Sequence, residues 1–210
     1  MDDNLKAIQR AQAETAIKRL KDHSFETSWF ETKEEALQYL KESILHGSSI
    51  GVGGSMTLEE MGVIAWLTGN PDYAFLDRYH TDDREKIFHE SMNADVYLMS
   101  SNAVTLDGCL YNVDGTGNRV AALIYGPKKV YVLCGTNKLV NDVDSAVKRV
   151  KEIAAPANNV RLHKDNPCAT LGSCMNCMRP TTICNQFVLT RRSGTPNRIH
   201  VILINESLGY

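Results

Sequence analysis

The sequence predicts an α/β fold, a mainly parallel sheet with helices on both faces. Three observations carry this. Short apolar runs with strand character, residues 49–52, 95–99 and 129–134, recur along the chain. Between them lie stretches with helix-opening signals or a 3.6-residue period, such as residues 141–154 with Val143, Val147, Val150 and Ile153 on one face. The pitch of that alternation is the pitch of strand–helix–strand crossovers, which cover a parallel sheet with helices. A chain of 210 residues suits one medium domain.

Taken in order, residues 4–20 read as a helix with a thin apolar stripe of Leu5, Ile8, Ala16 and Leu20. Such a helix either lies on the body or packs on a second copy, so a homo-oligomer is one expectation. Phe25, Trp29 and Phe30 form an aromatic clump that anchors this helix to the core. Residues 1–30 are thus expected as an N-terminal helix and connector, and 31–210 as a single α/β domain. Thr32 and Glu35 have capping-box spacing and open a helix to about Leu45, with Gly47 as its stop.

The strand at 49–52 runs into Gly53-Gly54-Ser55-Met56-Thr57, and a helix is expected from 58 to 67, with Thr57 and Glu60 as a second capping box. Strand, glycine turn and helix start expose backbone N–H groups and the positive end of a helix dipole, a seat for phosphate or carboxylate. Gly53, Gly54, Ser55 and Thr57 are therefore candidate ligand contacts. The glycines lack the dinucleotide fingerprint and the Lys-Ser/Thr ending of a P-loop, and the competing reading is a tight turn without a ligand. Gly69-Asn70-Pro71 marks a turn, 73–76 a short strand, and Thr81-Asp82-Asp83 the start of a helix to Met92.

Residues 100–118, SSNAVTLDGCLYNVDGTGN, read as a polar, glycine-punctuated loop after a buried strand. Open α/β sheets place ligands at such positions. Asn102, Thr105, Gly108, Asn112, Gly115, Thr116, Gly117 and Asn118 are its candidate contacts. Asp107 and Asp114 are its candidate general acid or base. Each precedes a glycine, so turn formation competes with function at both. Glu59 reads as a partner of its helix dipole, and Arg119 and Lys138 as anion partners or solvated charges. Pro156 is expected to close the 141–154 helix. Residues 160–185 form a Cys-rich insertion, after which 187–192 and 199–204 are expected as a C-terminal hairpin around Ser193–Pro196.

A net charge of −2 gives no electrostatic case for nucleic acid or an anionic membrane. No apolar run approaches the length needed for membrane insertion. The N-terminal stretch lacks the apolar core of a secretory signal, so a cytoplasmic protein is expected. His80, His89, His163 and His200 show no ligand spacing, and there is no Gly-x-Ser-x-Gly nucleophile elbow.

Four of the six cysteines, Cys168, Cys174, Cys177 and Cys184, follow a C-x5-C-x2-C-x6-C spacing. The central pair can aim two thiolates at one centre, and the outer two can complete four-coordination. That donor set suits a 4Fe-4S cluster, with zinc as the alternative and free thiols or a redox disulfide as the metal-free readings. The intervals match neither a zinc ribbon nor a bacterial ferredoxin. Cys109 and Cys134 lie in apolar surroundings and read as core thiols.

GVGGSMTLEEMG and SSNAVTLDGCLYNVDGTGNRVA, with PCATLGSCMNCMRPTTICN and the closing HVILINESLGY, together resemble the LUD (lactate utilisation) domain family over about residues 30–210. The resemblance implies the fold shared by ribose-5-phosphate isomerase, glucosamine-6-phosphate deaminase, CoA transferases and 5-formyltetrahydrofolate cyclo-ligase. There the turn matching Gly53-Gly54-Ser55 and a later Asp/Gly-rich loop face the substrate. It also implies a small anionic metabolite, a hydroxy acid or sugar phosphate, and a place beside iron–sulfur redox partner proteins in lactate oxidation. The chain would then be a subunit of an oxidoreductase complex. It departs from larger relatives in having no two-cluster ferredoxin run. The competing expectations are a metabolite sensor without turnover and a structural metal-site protein.

Overall fold

A computed structural model describes residues 3–210. Its main sheet has six strands, all parallel: β1 (Glu26–Phe30), β2 (Ser49–Val52), β3 (Ala74–Phe75), β4 (Val96–Met99), β7 (Lys129–Gly135) and β10 (Ile199–Ile204). Their spatial order is β1-β10-β7-β4-β2-β3. The most apolar runs, β4, β7 and β10, take the middle of the sheet, where both faces are covered and every residue but Lys129 is buried. The α/β class and the parallel sheet read from the sequence are thus observed.

One face packs on α2 (Lys33–Ser43), α3 (Met56–Glu60) and α4 (Val63–Leu67) through Leu40, Leu58 and Leu67 against Ile50, Leu98 and Leu133. α5 (Arg84–Ser91) comes close enough that a Cβ on Gly51 would stand 2.8 Å from the Ser91 side chain. The other face takes α1 (Asp3–Asp22), α6 (Asn118–Ile124) and part of a second sheet. Ala13, Ala16 and Leu20 meet Val130, Val132 and Val201 there.

That second sheet was not foreseen. It comprises β5 (Ala103–Thr105), β6 (Leu110–Asp114), β8 (Leu139–Val140) and β9 (Gln186–Thr190) in the order β8-β5-β6-β9. The stretch expected as one loop, 100–118, therefore holds a β-hairpin: Ala103-Val104-Thr105 and Leu110-Tyr111 are buried throughout and pair antiparallel across the Asp107-Gly108 turn. The expected C-terminal hairpin is corrected: β9 pairs antiparallel with β6, and β10 pairs parallel with β1 and β7. Burial explains the separation. β10 is buried at every residue, whereas Phe187 and Leu189 of β9 face solvent, as on the edge of a half-covered sheet.

Local chemistry decided the other differences. Phe25, and Trp29 on β1, pack in the cluster that holds Ala13, Ala16 and Leu20 of α1, as read, whereas Phe30 packs against the cluster on the other face of the sheet. The box at Thr32 forms as read, with the Thr32 and Glu35 side chains each meeting the other's backbone N–H. The second box does not form. Ser55 is the cap, and Thr57, one step into the helix, is buried with its hydroxyl donating to the Leu208 carbonyl at 3.1 Å. Gly62, at φ 75°, divides the expected 58–67 helix into α3 and α4. Pro156 does not close its helix. α7 (Val143–Arg149) passes through a π turn (Val150–Ala154) into α8 (Ala155–Arg161), and Pro156 stands in the first turn of α8, where a missing N–H is tolerated. α9 (Pro167–Leu171) starts the cysteine segment.

Candidate functional site

The chain leaves β2 for β3 at one edge of the sheet and returns on the other side of β2 as β4. This reversal opens a crevice at the carboxyl ends of β2 and β4, the usual ligand position in open α/β sheets. A cavity of about 220 Å³ lies there. Its walls are Gly54–Met56 after β2, Ser100–Asn102 after β4, Val113–Thr116 with Asn118 and Arg119, and Lys138 beyond β7; Arg78, Arg161 and Tyr210 complete the mouth.

Charge is the main feature of this lining. Four side chains are cationic, Arg78, Arg119, Lys138 and Arg161, and the sole side-chain carboxylate is Asp114. Asp114 is already committed: it stands 3.2 Å from Arg119 Nε and accepts from Gly117 N–H at 2.8 Å. Arg119 is committed too. Its Nη groups donate to the Ser100 and Val113 carbonyls and to the Asn102 and Asn112 amide oxygens. With every N–H direction used, Arg119 fastens the β4, β6 and α6 ends together, and its charge is spent on Asp114.

Arg78 and Lys138 differ. The Arg78 guanidinium lies over the Phe88 ring at 4.7 Å and makes no hydrogen bond or ion pair within the described residues. A Cβ on Gly54 would stand 3.5 Å from it, an ordinary contact distance, so the guanidinium lies directly beside the glycine turn. Lys138 is 3% exposed, and its Nζ donates to Thr57 Oγ1 and approaches Ser100 Oγ, both at 2.9 Å. It has no carboxylate partner among the described residues. Burial, with the Arg149 and Arg119 charges adding to it against the pull of Cys134 and Glu60, brings its ammonium down to about 8. Arg161 is exposed at the mouth and donates to Asn158 Oδ1 at 2.9 Å.

The structure brings most sequence-read contacts to this cavity. Gly54, Ser55, Asn102, Asp114, Gly115, Thr116 and Asn118 line it. Gly53, Thr57, Asn112 and Gly117 stand behind the lining: an added Cβ on Gly53 would be 3.0 Å from Arg119 Cδ, Thr57 holds Lys138, Asn112 accepts from Arg119, and Gly117 turns the chain at φ 95°. Thr105, Asp107 and Gly108 lie elsewhere, in the β5–β6 turn at the opposite end of β6. There Asp107 is exposed and bonded to Thr105 Oγ1, and the Gly108 carbonyl is 2.8 Å from His23 Nδ1. The helix after the glycine turn is only five residues long, so side-chain cations rather than a helix dipole supply the positive field. Arg78, Arg161, Ser100, Ser101, Asn158 and Tyr210 had not been singled out. Lys138 had one available signal: it follows the end of the most apolar strand run, as the 53–55 and 100–102 loops follow theirs.

The cysteine segment lies beside the cavity. Ile183 is in the cavity wall, Cys184 adjoins Asn102 and Val113, and Asn185 N–H donates to the Asp114 carbonyl at 2.9 Å. Burial pushes the Cys184 thiol up to about 11, with charge from Cys174, Cys168 and Cys177 adding to it, so the four share one neighbourhood. As arranged, however, no three His, Cys, Asp or Glu side chains among the described residues stand close enough together to hold a metal ion. Cys109 and Cys134 are buried core thiols, as read. Among the described residues no helix is long and apolar enough to cross a membrane.

Fold and site define a class: an open α/β protein with a cation-rich crevice at the switch point of a parallel sheet. The LUD domain family matches residues 13–204, nearly the whole chain, and the chain belongs to that family, which is linked to lactate utilisation. The crystal structure of a DUF162 family protein from Deinococcus radiodurans, at 1.70 Å resolution, superposes with a TM-score of 0.54 at 16% identity, covering 94% of this chain and 98% of that one. At that identity the likeness speaks to the fold. None of the curated proteins compared with the chain matches it.

Proposed function

We propose that the chain binds a small anionic metabolite, of hydroxy-acid or sugar-phosphate type, in the cavity between the 53–55 turn and the 100–102 and 113–119 segments. The observation that carries this is the charge of the lining: Arg78 and Lys138 have no carboxylate partner, and the one side-chain carboxylate present is taken by Arg119. Cations left unpaired in a crevice favour an anion that brings the missing charge. Ser55, Asn118 and Tyr210 around them supply hydroxyl and amide groups for the rest of such a ligand. Membership of the LUD family makes lactate, pyruvate and related organic acids the first candidates, within an oxidation that redox partner proteins complete.

Titration calorimetry with lactate, pyruvate and ribose 5-phosphate tests the proposal. At least one is expected to bind, and Arg78→Ala is expected to weaken it about 10- to 100-fold, the effect of losing one charge-assisted contact. No binding by any of the three, or an Arg78→Ala protein that binds equally well, would sink it.

A second reading, a structural metal-site protein, is favoured by the shared neighbourhood of the four cysteines. As arranged, the four do not come together closely enough to hold a 4Fe-4S cluster or zinc. Iron and zinc content of anaerobically prepared protein separates this reading from the first.

A further inference from the structure

Lys138 is a poor choice for a residue whose only task is to be positive. A lysine that merely binds anions gains from hydration, and most keep their charge near solvent. This one is 3% exposed, lacks a carboxylate, and rests its Nζ between two hydroxyls. Thr57 spends its own proton on the Leu208 carbonyl, so its oxygen can only accept from the amine. The Ser100 hydroxyl is less constrained: its nearest acceptors are the Ser101 carbonyl at 3.4 Å and Cys134 Sγ at 3.7 Å. It is free to turn and donate to a neutral amine or to an oxygen bound beside it. Two hydroxyls therefore accommodate Nζ in either protonation state, which a carboxylate would not.

We propose that Lys138 is a nucleophilic amine that forms an imine with the carbonyl group of an anionic aldehyde or ketone, the 2-oxo acids being the class that fits. This deepens the reading above, since it rests on the same cavity binding an anion. Arg78 has free donors for the carboxylate, and the lysine would meet the carbonyl carbon beside it. The Nζ lone pair attacks that carbon and the C=O π pair moves to oxygen. A proton passes from nitrogen to that oxygen, with Ser100 Oγ placed to relay it. The carbinolamine then expels its hydroxyl, which takes up the second amine proton and leaves as water, while the nitrogen lone pair forms the C=N bond. One amine and one carbonyl give one imine and one water, and no electrons are exchanged. The chemistry needs a neutral amine, and with its proton held at about 8 Lys138 supplies one at neutral pH far more often than an exposed lysine does.

The test is borohydride trapping on the whole protein with glyoxylate and pyruvate, read by intact mass and peptide mapping. One reduced adduct per chain is expected, on the peptide carrying Lys138. Its yield should climb steeply as pH rises through about 8 and then level off. Lys138→Arg, which keeps a positive charge but removes the nucleophilic amine, is expected to abolish it. Pyruvate that binds in calorimetry but gives no adduct at Lys138 would overturn the imine and leave anion binding standing. Adducts spread over exposed lysines, and unchanged in Lys138→Arg, would overturn it as well. Failure of pyruvate and glyoxylate to bind while lactate or ribose 5-phosphate binds would overturn the imine alone, and failure of all four would remove both readings together.

Discussion

The two ends of β6 carry the same dipeptide and have opposite fates. Asp107-Gly108 makes the turn into the strand, and Asp114-Gly115 makes the turn out of it. At the first, the carboxylate is exposed and satisfied locally by Thr105, while Gly108, at φ 89°, lies so close to α1 that a Cβ would stand 2.6 Å from the Arg19 carbonyl carbon. At the second, the carboxylate is buried against Arg119 and helps to close the cavity wall. An Asp-Gly pair signals a turn in either case. What separates the two is which end of the sheet the turn reaches: one end packs on a helix, and the other opens where β2 and β4 diverge.

Substitutions at the two ends should therefore diverge. The largest effect is expected for Asp114→Ala, which strands the Arg119 guanidinium in the interior; a loss of about 3–5 kcal/mol in urea unfolding is expected. A loss below 1 kcal/mol would mean that Asp114 is no more structural than Asp107.

Next is Lys138→Met, with the opposite sign. A lysine whose folded proton affinity lies near 8, below its unfolded value, is bound by more protons in the unfolded state between about 8 and 10.4. Wild-type stability should rise with pH across that window and carry the full penalty below it. The methionine variant is expected to be more stable than wild type at pH 7 by about 1–3 kcal/mol, with the gap closing toward pH 10. Equal pH profiles for the two proteins would contradict the burial argument.

The smallest effect is expected for Asp107→Asn, within about 0.5 kcal/mol of wild type and with unchanged metabolite binding. A clear loss of binding in that variant would erase the contrast between the two ends.

Much of this was legible in the chain. β4, β7 and β10 declare themselves as unbroken apolar runs, and the loops after β2 and β4 by their glycines and short polar residues. The legible part of the site is thus the part built on strand ends. Arg78 and Arg161 could not be found that way, since each lies on a polar stretch like any other and enters the cavity only through tertiary packing. Lys138 was visible as a charge but not as a buried one, because burial depends on Thr57, Ser100 and the C-terminal tail closing around it. The pairing of β9 with β6 was hidden for a related reason. Residues 186–190 and 199–204 both look like strands, and only their distant neighbours separate them.

The π turn ahead of Pro156 has a consequence beyond its own helix. Ala155 N–H reaches back to the Val150 carbonyl, so the next acceptor, the Lys151 carbonyl, falls to residue 156, and proline has no proton to give. That carbonyl instead takes the N–H of Cys174 at 2.9 Å. The residue that ordinarily ends a helix works here as an address: one proton missing from the ladder marks the spot where the cysteine segment lands, within reach of the crevice that Ile183 helps to wall.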